Sequence, residues 1–546
     1  MSRPLVLLLF VFALPLFASD VTVAWIARAP ELEYVWGSAI PGVEGWPLAG
    51  STVTWRAHVR NFGPDAVSMP YAWRVDGVES ARGNVILAPN AITTVDLPSL
   101  WTFDRHRIAF TIDGKEVEVF SDALSVGFWV EQSFYDYFRA HQSELGIGST
   151  GFEDWAQRTV ALFNDMAELA GVIDRMRLQK IVIVPDGALP LNGLPPDASL
   201  GANGATHPDQ NDRTVDLMWG FRTAHLNQYT RGTKIDPLNW FYTGVGALHE
   251  MGHARYLVDV YAWDVRHAPP YFVVEVPGVV PTEAGGLVHR TPEQGLMNKH
   301  YSFIDEYSAL ALNRIAGHRA TLGNYNEPRN FASFLNDMPA QNRVTIRDEN
   351  GVAIPNADVE IYQATRTVPT PLWYGAKFDA TPDLVLHTDD RGRVLVGRSP
   401  FGTVVHAPDL DTGVVIVRVN SKIGYLESRL FNLAYWRGET EFAAHELMVG
   451  RECGSEGPRL RGPSWDENTT GPVTLEWDAM VDATHYRVYA NNRLIASTTR
   501  TSIDARLNGR VYWWVEADLG VCGTRRSYPG RFLANNGTVV RRRAAR

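Results

Sequence analysis

Cysteine is nearly absent: Cys453 and Cys522 are the only two in 546 residues. That scarcity excludes a disulfide-stapled scaffold and leaves no thiol upstream of Cys453 to block a metal site. In an exported chain such an isolated pair suggests a disulfide closing the last small region, with two separate buried thiols as the alternative. Charge of one sign is also missing, since 51 Lys and Arg stand against 61 Asp and Glu for a net charge of −10. That balance offers no footprint for nucleic acid, and the basic end Arg541, Arg542 and Arg543 reads as a frayed tail. Long apolar runs are missing too, except at the N-terminus. There Arg3 precedes an apolar stretch from Pro4 to Ala18, followed by Ser19 and Asp20, which is the layout of a secretory signal peptide over residues 1–18. The stretch is shorter than the ~20 residues a membrane-spanning helix requires. The expectation is a secreted or cell-surface protein with no membrane span after signal removal.

What is present is a short chemical pattern. His249, Glu250, Met251, Gly252 and His253 put two imidazoles four residues apart, on one face of a helix, where both can reach one metal ion at about 2.0–2.1 Å. Glu250 beside them can take a proton from a water that zinc has acidified. The run from Trp240 to Leu248 leads in without proline, Thr243 is an acceptable N-cap, and Val245, Leu248 and Met251 supply a face to bury. Gly244, Gly246 and Gly252 weaken the helix by about 1 kcal/mol each, which suits close packing beneath a metal site.

Catalytic zinc takes three protein ligands. Beyond His253 the chain reads Ala254, Arg255, Tyr256, Leu257, Val258, Asp259. This resembles the metzincin metallopeptidases, whose elongated motif places a Gly three residues after the second His and the third ligand, His or Asp, three further on. The resemblance implies one catalytic Zn2+ held by His249, His253 and Asp259, with Glu250 as general base. The chain departs from the pattern at Tyr256, which stands where the family has Gly. A straight helix would carry Asp259 about 9 Å along the axis from His253 and about 120° off its face, so the helix must end near Tyr256. Gln294, Gly295, Leu296, Met297 and Asn298 resemble the metzincin Met-turn, and Tyr301 just beyond is a candidate for steadying the oxyanion. The rival third ligand is Glu306, in a helix expected over 303–315; a gluzincin takes its Glu from such a later helix. His225, His267, His289, His300 and His318 fit no metal spacing.

Around this segment the chain is expected to be multidomain, because single cores rarely grow beyond about 250–300 residues. Residues 20–122 alternate as strands around Asn61, Phe62, Gly63 and the turn Asp76-Gly77, and resemble immunoglobulin-like, adhesion-related β-sandwich modules. Residues 123–337 read as an α+β zincin-like catalytic domain: a helix over 152–176, a strand at 180–184, a long Gly/Pro/Asn loop and a strand at 214–221 that could align an extended substrate. Residues 341–450 resemble a transthyretin-like module, and 460–535 a fibronectin type III domain. The expected activity is that of a secreted zinc metalloendopeptidase acting on protein or peptide substrates, with the β-sandwich modules available for a surface or matrix ligand. A surface adhesin whose zincin-like domain binds without cutting is the alternative.

Overall fold

The computed structural model describes residues 20–33, 45–140, 151–189, 212, 214–223, 245–255, 257–281, 286–292, 295–298, 303–319, 336–369, 374–402, 413–451, 456–463 and 467–535. The signal segment 1–18, the long loop 190–211, Thr243, Tyr256, Tyr301 and Cys453 therefore lie outside the described residues. The chain is mostly β-sheet with few helices and is built of several modules, some of them sandwich-like. It divides into two compact units, residues 1–30 with 49–121, and residues 31–48 with 122–546. The first boundary falls where the sequence changes character, but residues 31–48 belong to the second unit. Glu31 pairs with Lys180 at 2.6 Å, and the Trp46 indole donates to the Gly317 carbonyl.

In the first unit, period-two patterning becomes two antiparallel sheets. Thr52–Asn61 sits between Val21–Ala29 and Ile92–Leu100, burying Val53, Trp55, Ala57 and Val59 while the alternate side chains face outward. The second sheet orders Val78–Leu87, Val67–Val75, Arg107–Ile112 and Lys115–Phe120. Its two hairpins turn on Asp76-Gly77 and Asp113-Gly114, all four residues with positive φ, which is the two-residue turn that Asp-Gly favours.

The second unit opens on a parallel sheet. Leu124–Glu131, buried along its whole length, lies between Leu217–Phe221 and Met176–Val184. Parallel neighbours need a long crossover, which the helices Gln132–Ala140 and Phe152–Ala170 provide. Phe128, Phe134, Phe138, Phe152, Trp155 and Phe221 pack ring on ring between helices and sheet. The expected helix over 152–176 is shorter than its apolar period suggested. Gly171, at φ 73, caps it with N–H bonds to the carbonyls of Ala167 and Glu168, and Met176 already belongs to the next strand. The strand expected over 214–221 begins at Leu217 and forms an edge of its sheet among the described residues.

Two further strand modules follow. In the middle one, Gln341–Arg347 pairs with Arg393–Gly397 and Phe442–Met448, and a second, four-stranded sheet orders Leu384–His387, Asp358–Gln363, Val414–Val419 and Lys422–Glu427. A helix, Ser428–Trp436, continues directly from the last strand, an element the strand pattern did not foreshadow. The C-terminal module closes its own core around Leu475, Trp477, Val488, Trp513, Val515 and Phe532. Cys522 lies in a short 3-10 turn packed on that core; because Cys453 is outside the described residues, its pairing with Cys522 stays a proposal. Among the described residues no helix is long and apolar enough to cross a membrane.

Candidate metal centre

The helix Val245–Ala254 forms as the sequence predicts, packing against the strand Leu217–Phe221 and burying Ala247, Leu248 and Met251. It ends before Tyr256. The Gly252 carbonyl accepts from the Arg255 N–H at 2.9 Å and from the Leu257 N–H at 3.0 Å, the second being the six-to-one bond of a tight helix terminus. Arg255 holds that terminus from below: its buried guanidinium bonds Asp174 at 2.7 Å and the carbonyls of Ile315 and His318. Sequence reasoning passed over Arg255. Its only local signal was a cation in the last turn of a helix, and its partner Asp174 lies far upstream.

Turning the chain there brings Asp259 back over the helix. His249 Nε2 lies 3.1 Å and His253 Nε2 3.2 Å from Asp259 Oδ1, and the ligand atoms of the three residues all lie within 4.8 Å of one another. Each ring is fixed from its other side, His249 Nδ1 donating to the Leu296 carbonyl and His253 Nδ1 to the Leu257 carbonyl, both at 2.8 Å. A carbonyl can only accept, so the proton of each neutral ring sits on Nδ1 and each Nε2 turns a lone pair toward Asp259. All three residues are buried, and among the described residues Asp259 Oδ1 has no hydrogen-bond partner. Burial pushes the Asp259 carboxyl up, whereas positive charge on the imidazoles, His253 foremost, would outweigh that and draw the group well below the ordinary carboxylate range. A buried anion facing two nitrogen lone pairs needs positive charge where they meet. A proton on one ring supplies it to one contact, whereas a divalent cation supplies it to all three. Ligand atoms 2.0–2.1 Å from a tetrahedral ion stand about 3.3 Å apart, close to the 3.1 and 3.2 Å between the two Nε2 atoms and Asp259 Oδ1, so the residues present fit such an ion.

The candidate methionine packs against the metal-site helix at Gly252. Gly295, Leu296, Met297 and Asn298 form a turn closed by Asn298 N–H donating to the Gly295 carbonyl at 3.0 Å. Met297 is fully buried, and a Cβ on Gly252 would stand 2.8 Å from its sulfur, so any larger residue there would have to displace the thioether. The Met297 carbonyl also accepts from Val260 N–H at 3.0 Å, tying the turn to the loop that carries Asp259. Gly295 is required in turn by the buried Asp305 carboxylate, which caps the helix Glu306–Asn313 through Ser308. That helix is shorter than the expected 303–315. Its Glu306 is exposed and pairs with Arg437, so the structure does not bring this rival ligand to the cluster. The Glu250 backbone lies in the metal-site helix between the two histidines, its side chain and Tyr301 being outside the described residues. Of the other histidines, His289 bonds Glu427 and His267 Nδ1 accepts from Val274 N–H, whereas His225 and His300 are outside the described residues.

No family model matches the chain, and no curated protein matches it. Among solved structures it is similar to the fibronectin(III)-like modules of Clostridium thermocellum CbhA, with 12% identity over 35% of this chain and 85% of that one at a TM-score of 0.15. A calcium-binding mutant of a Bacteroides uniformis β-glucuronidase matches with 10% identity over 94% of this chain and 61% of that one at 0.18. A carbohydrate acetylesterase from Xanthomonas citri matches with 10% identity over 88% and 96% at 0.14. At these scores the likenesses carry no argument about fold or activity, and the reading of the chain rests on the His249, His253 and Asp259 cluster itself.

Proposed function

We propose that this chain is an exported zinc metalloendopeptidase of metzincin-like design, hydrolysing peptide bonds in protein or peptide substrates. The observation that carries the reading is the convergence of His249 Nε2, His253 Nε2 and an otherwise unpartnered Asp259 Oδ1, with both Nδ1 atoms committed to carbonyls. Two imidazoles and one carboxylate form a three-ligand set of the kind catalytic zinc uses. Zinc bound there would acidify a water to a pKa of about 7 and polarise a substrate carbonyl. This chain's own residues supply the remainder. His249 and His253 hold the ion on a rigid helix, Asp259 balances its charge, and Met297 packs against that helix at Gly252. Glu250, between the histidines in sequence, accepts a proton from the attacking water and returns it to the leaving amine. The strand Leu217–Phe221 packs against the metal-site helix and, as an edge of its sheet among the described residues, would offer an extended peptide a line of pairing.

The test compares the purified chain with Glu250→Ala by metal analysis and by cleavage of a denatured protein substrate. The expected result is one zinc per chain in both, with cleavage at least about 100-fold lower in the variant. A chain that holds zinc but cuts nothing in either form would sink the peptidase reading in favour of a binding module. Asp259→Asn should lower zinc content, and retention of full content would remove Asp259 from the ligand set.

A further inference from the structure

The loop that carries Asp259 to the cluster is held at both ends. The near end is fixed by the helix terminus at Gly252 and by Val260 bonded to Met297. The far end is held from the middle strand module. Trp263, fully buried at the end of the 3-10 turn that Asp259 begins, donates its indole N–H to Ser428 Oγ at 3.2 Å. Gly413 closes over the same indole, where an added Cβ would stand 2.7 Å from Trp263 Nε1 and 2.8 Å from Ser428 Oγ. Next to Trp263, the Asp264 carboxylate accepts from Thr291 N–H at 2.9 Å, and Thr291 Oγ1 donates to Glu427 Oε2 at 3.2 Å. Val265 pairs with His289, whose Nε2 lies 2.9 Å from Glu427 Oε1 and whose ring stacks on Tyr425.

Glu427 thus receives the far end of the metal loop through two separate partners. It sits at the N-cap position of the helix Ser428–Trp436 yet makes no capping bond to it. Its buried carboxylate is turned instead toward His289, Thr291 and Arg429. A boundary that needed only stability would be as well served by apolar packing, because taking a charge out of water offsets much of what its pairing returns. What a buried, multiply bonded carboxylate adds is register: it accepts its partners in one arrangement.

We propose that Glu427 is a positioning residue for the metal centre, fixing Asp259 through Thr291, His289 and the Trp263 to Ser428 contact, so that the middle strand module completes the site. The proposal rests on the zinc reading. The test is zinc affinity of the full chain, measured by chelator competition. Glu427→Gln should weaken zinc about ten-fold, the lower end of what outer-shell partners of metal ligands contribute. Ser428→Ala should shift affinity in the same direction by less, and decides the matter should Glu427→Gln fail to fold. Tyr512→Phe, which alters the contact of the C-terminal module with Asp165, is the control and should leave zinc affinity unchanged. Unchanged affinity in Glu427→Gln, or in Ser428→Ala where it must stand in, overturns the proposal, and so does an equal loss in Tyr512→Phe. A wild-type chain that takes up no zinc overturns the metal reading itself and the proposal with it.

Discussion

The middle and C-terminal strand modules belong to the same compact unit but join it in different ways. The C-terminal module fills its core with its own residues and meets the rest through side chains at its rim. Tyr512 and Arg510 reach Asp165 on the long helix, and Asn492 donates to the Leu169 carbonyl. The middle module sinks Glu427, Ser428 and Gly413 into the boundary, and its strand Tyr374–Phe378 pairs with Val273–Val274 of the segment beyond the metal loop. A module whose core is made of its own residues can be altered at its rim without its neighbour registering the change. One that leaves a buried charge at the junction is part of its neighbour's structure.

The strongest way to break that contrast is Glu427→Ala. It leaves Arg429 and His289 facing an empty acceptor, and should destabilise the second unit by about 3–5 kcal/mol in urea unfolding. An effect below 1 kcal/mol would erase the distinction between the modules. Acid comes next. Burial pushes Glu427 up, but Arg429 and then His289 hold it at about 2. A carboxylate depressed in the folded state stabilises above its unfolded pKa, and that stability drains as pH falls through the folded value. Stability worth about 3 kcal/mol should therefore be lost between about pH 4.5 and pH 2, and Glu427→Gln should remove that part of the acid dependence. Gly252→Ala tests the metal-site helix from its other side. Alanine favours helix by about 1 kcal/mol, but its methyl meets Met297, so a net destabilisation of about 1–2 kcal/mol with weaker zinc retention is expected. The smallest effect should be that of Tyr512→Phe at the C-terminal junction, about 1 kcal/mol or less with no change in zinc affinity.

Much of this site was legible in the sequence because its chemistry is local. The i and i+4 spacing of His249 and His253, the axial arithmetic that forbids a straight helix to Asp259, and the Gly-x-Met turn at Gly295 all lie within short segments. The Asp76-Gly77 hairpin was legible for the same reason. What stayed hidden depends on residues distant in sequence. Nothing near Glu427 says that its carboxylate will bond His289 and Thr291, and nothing near Arg255 names Asp174. The helix over 152–176 was overrun because its apolar period continues into the strand from Met176, and the stop lay in Gly171 alone. Glu306 was a fair rival by residue type. Its exposure and its pairing with Arg437 depend on the helix Ser428–Trp436, which strand periodicity concealed.

The close seat of Met297 under Gly252 makes the centre a gauge of its own integrity under oxidative attack. A fully buried thioether is shielded from peroxide while the fold is closed, so oxidant reaches the sulfur only in molecules that have opened. Once the sulfur carries an oxygen it is polar and larger, in a place where one methyl group added at Gly252 would already crowd it. Each opening caught by an oxidant would then be recorded as a chain that closes less tightly around its histidines.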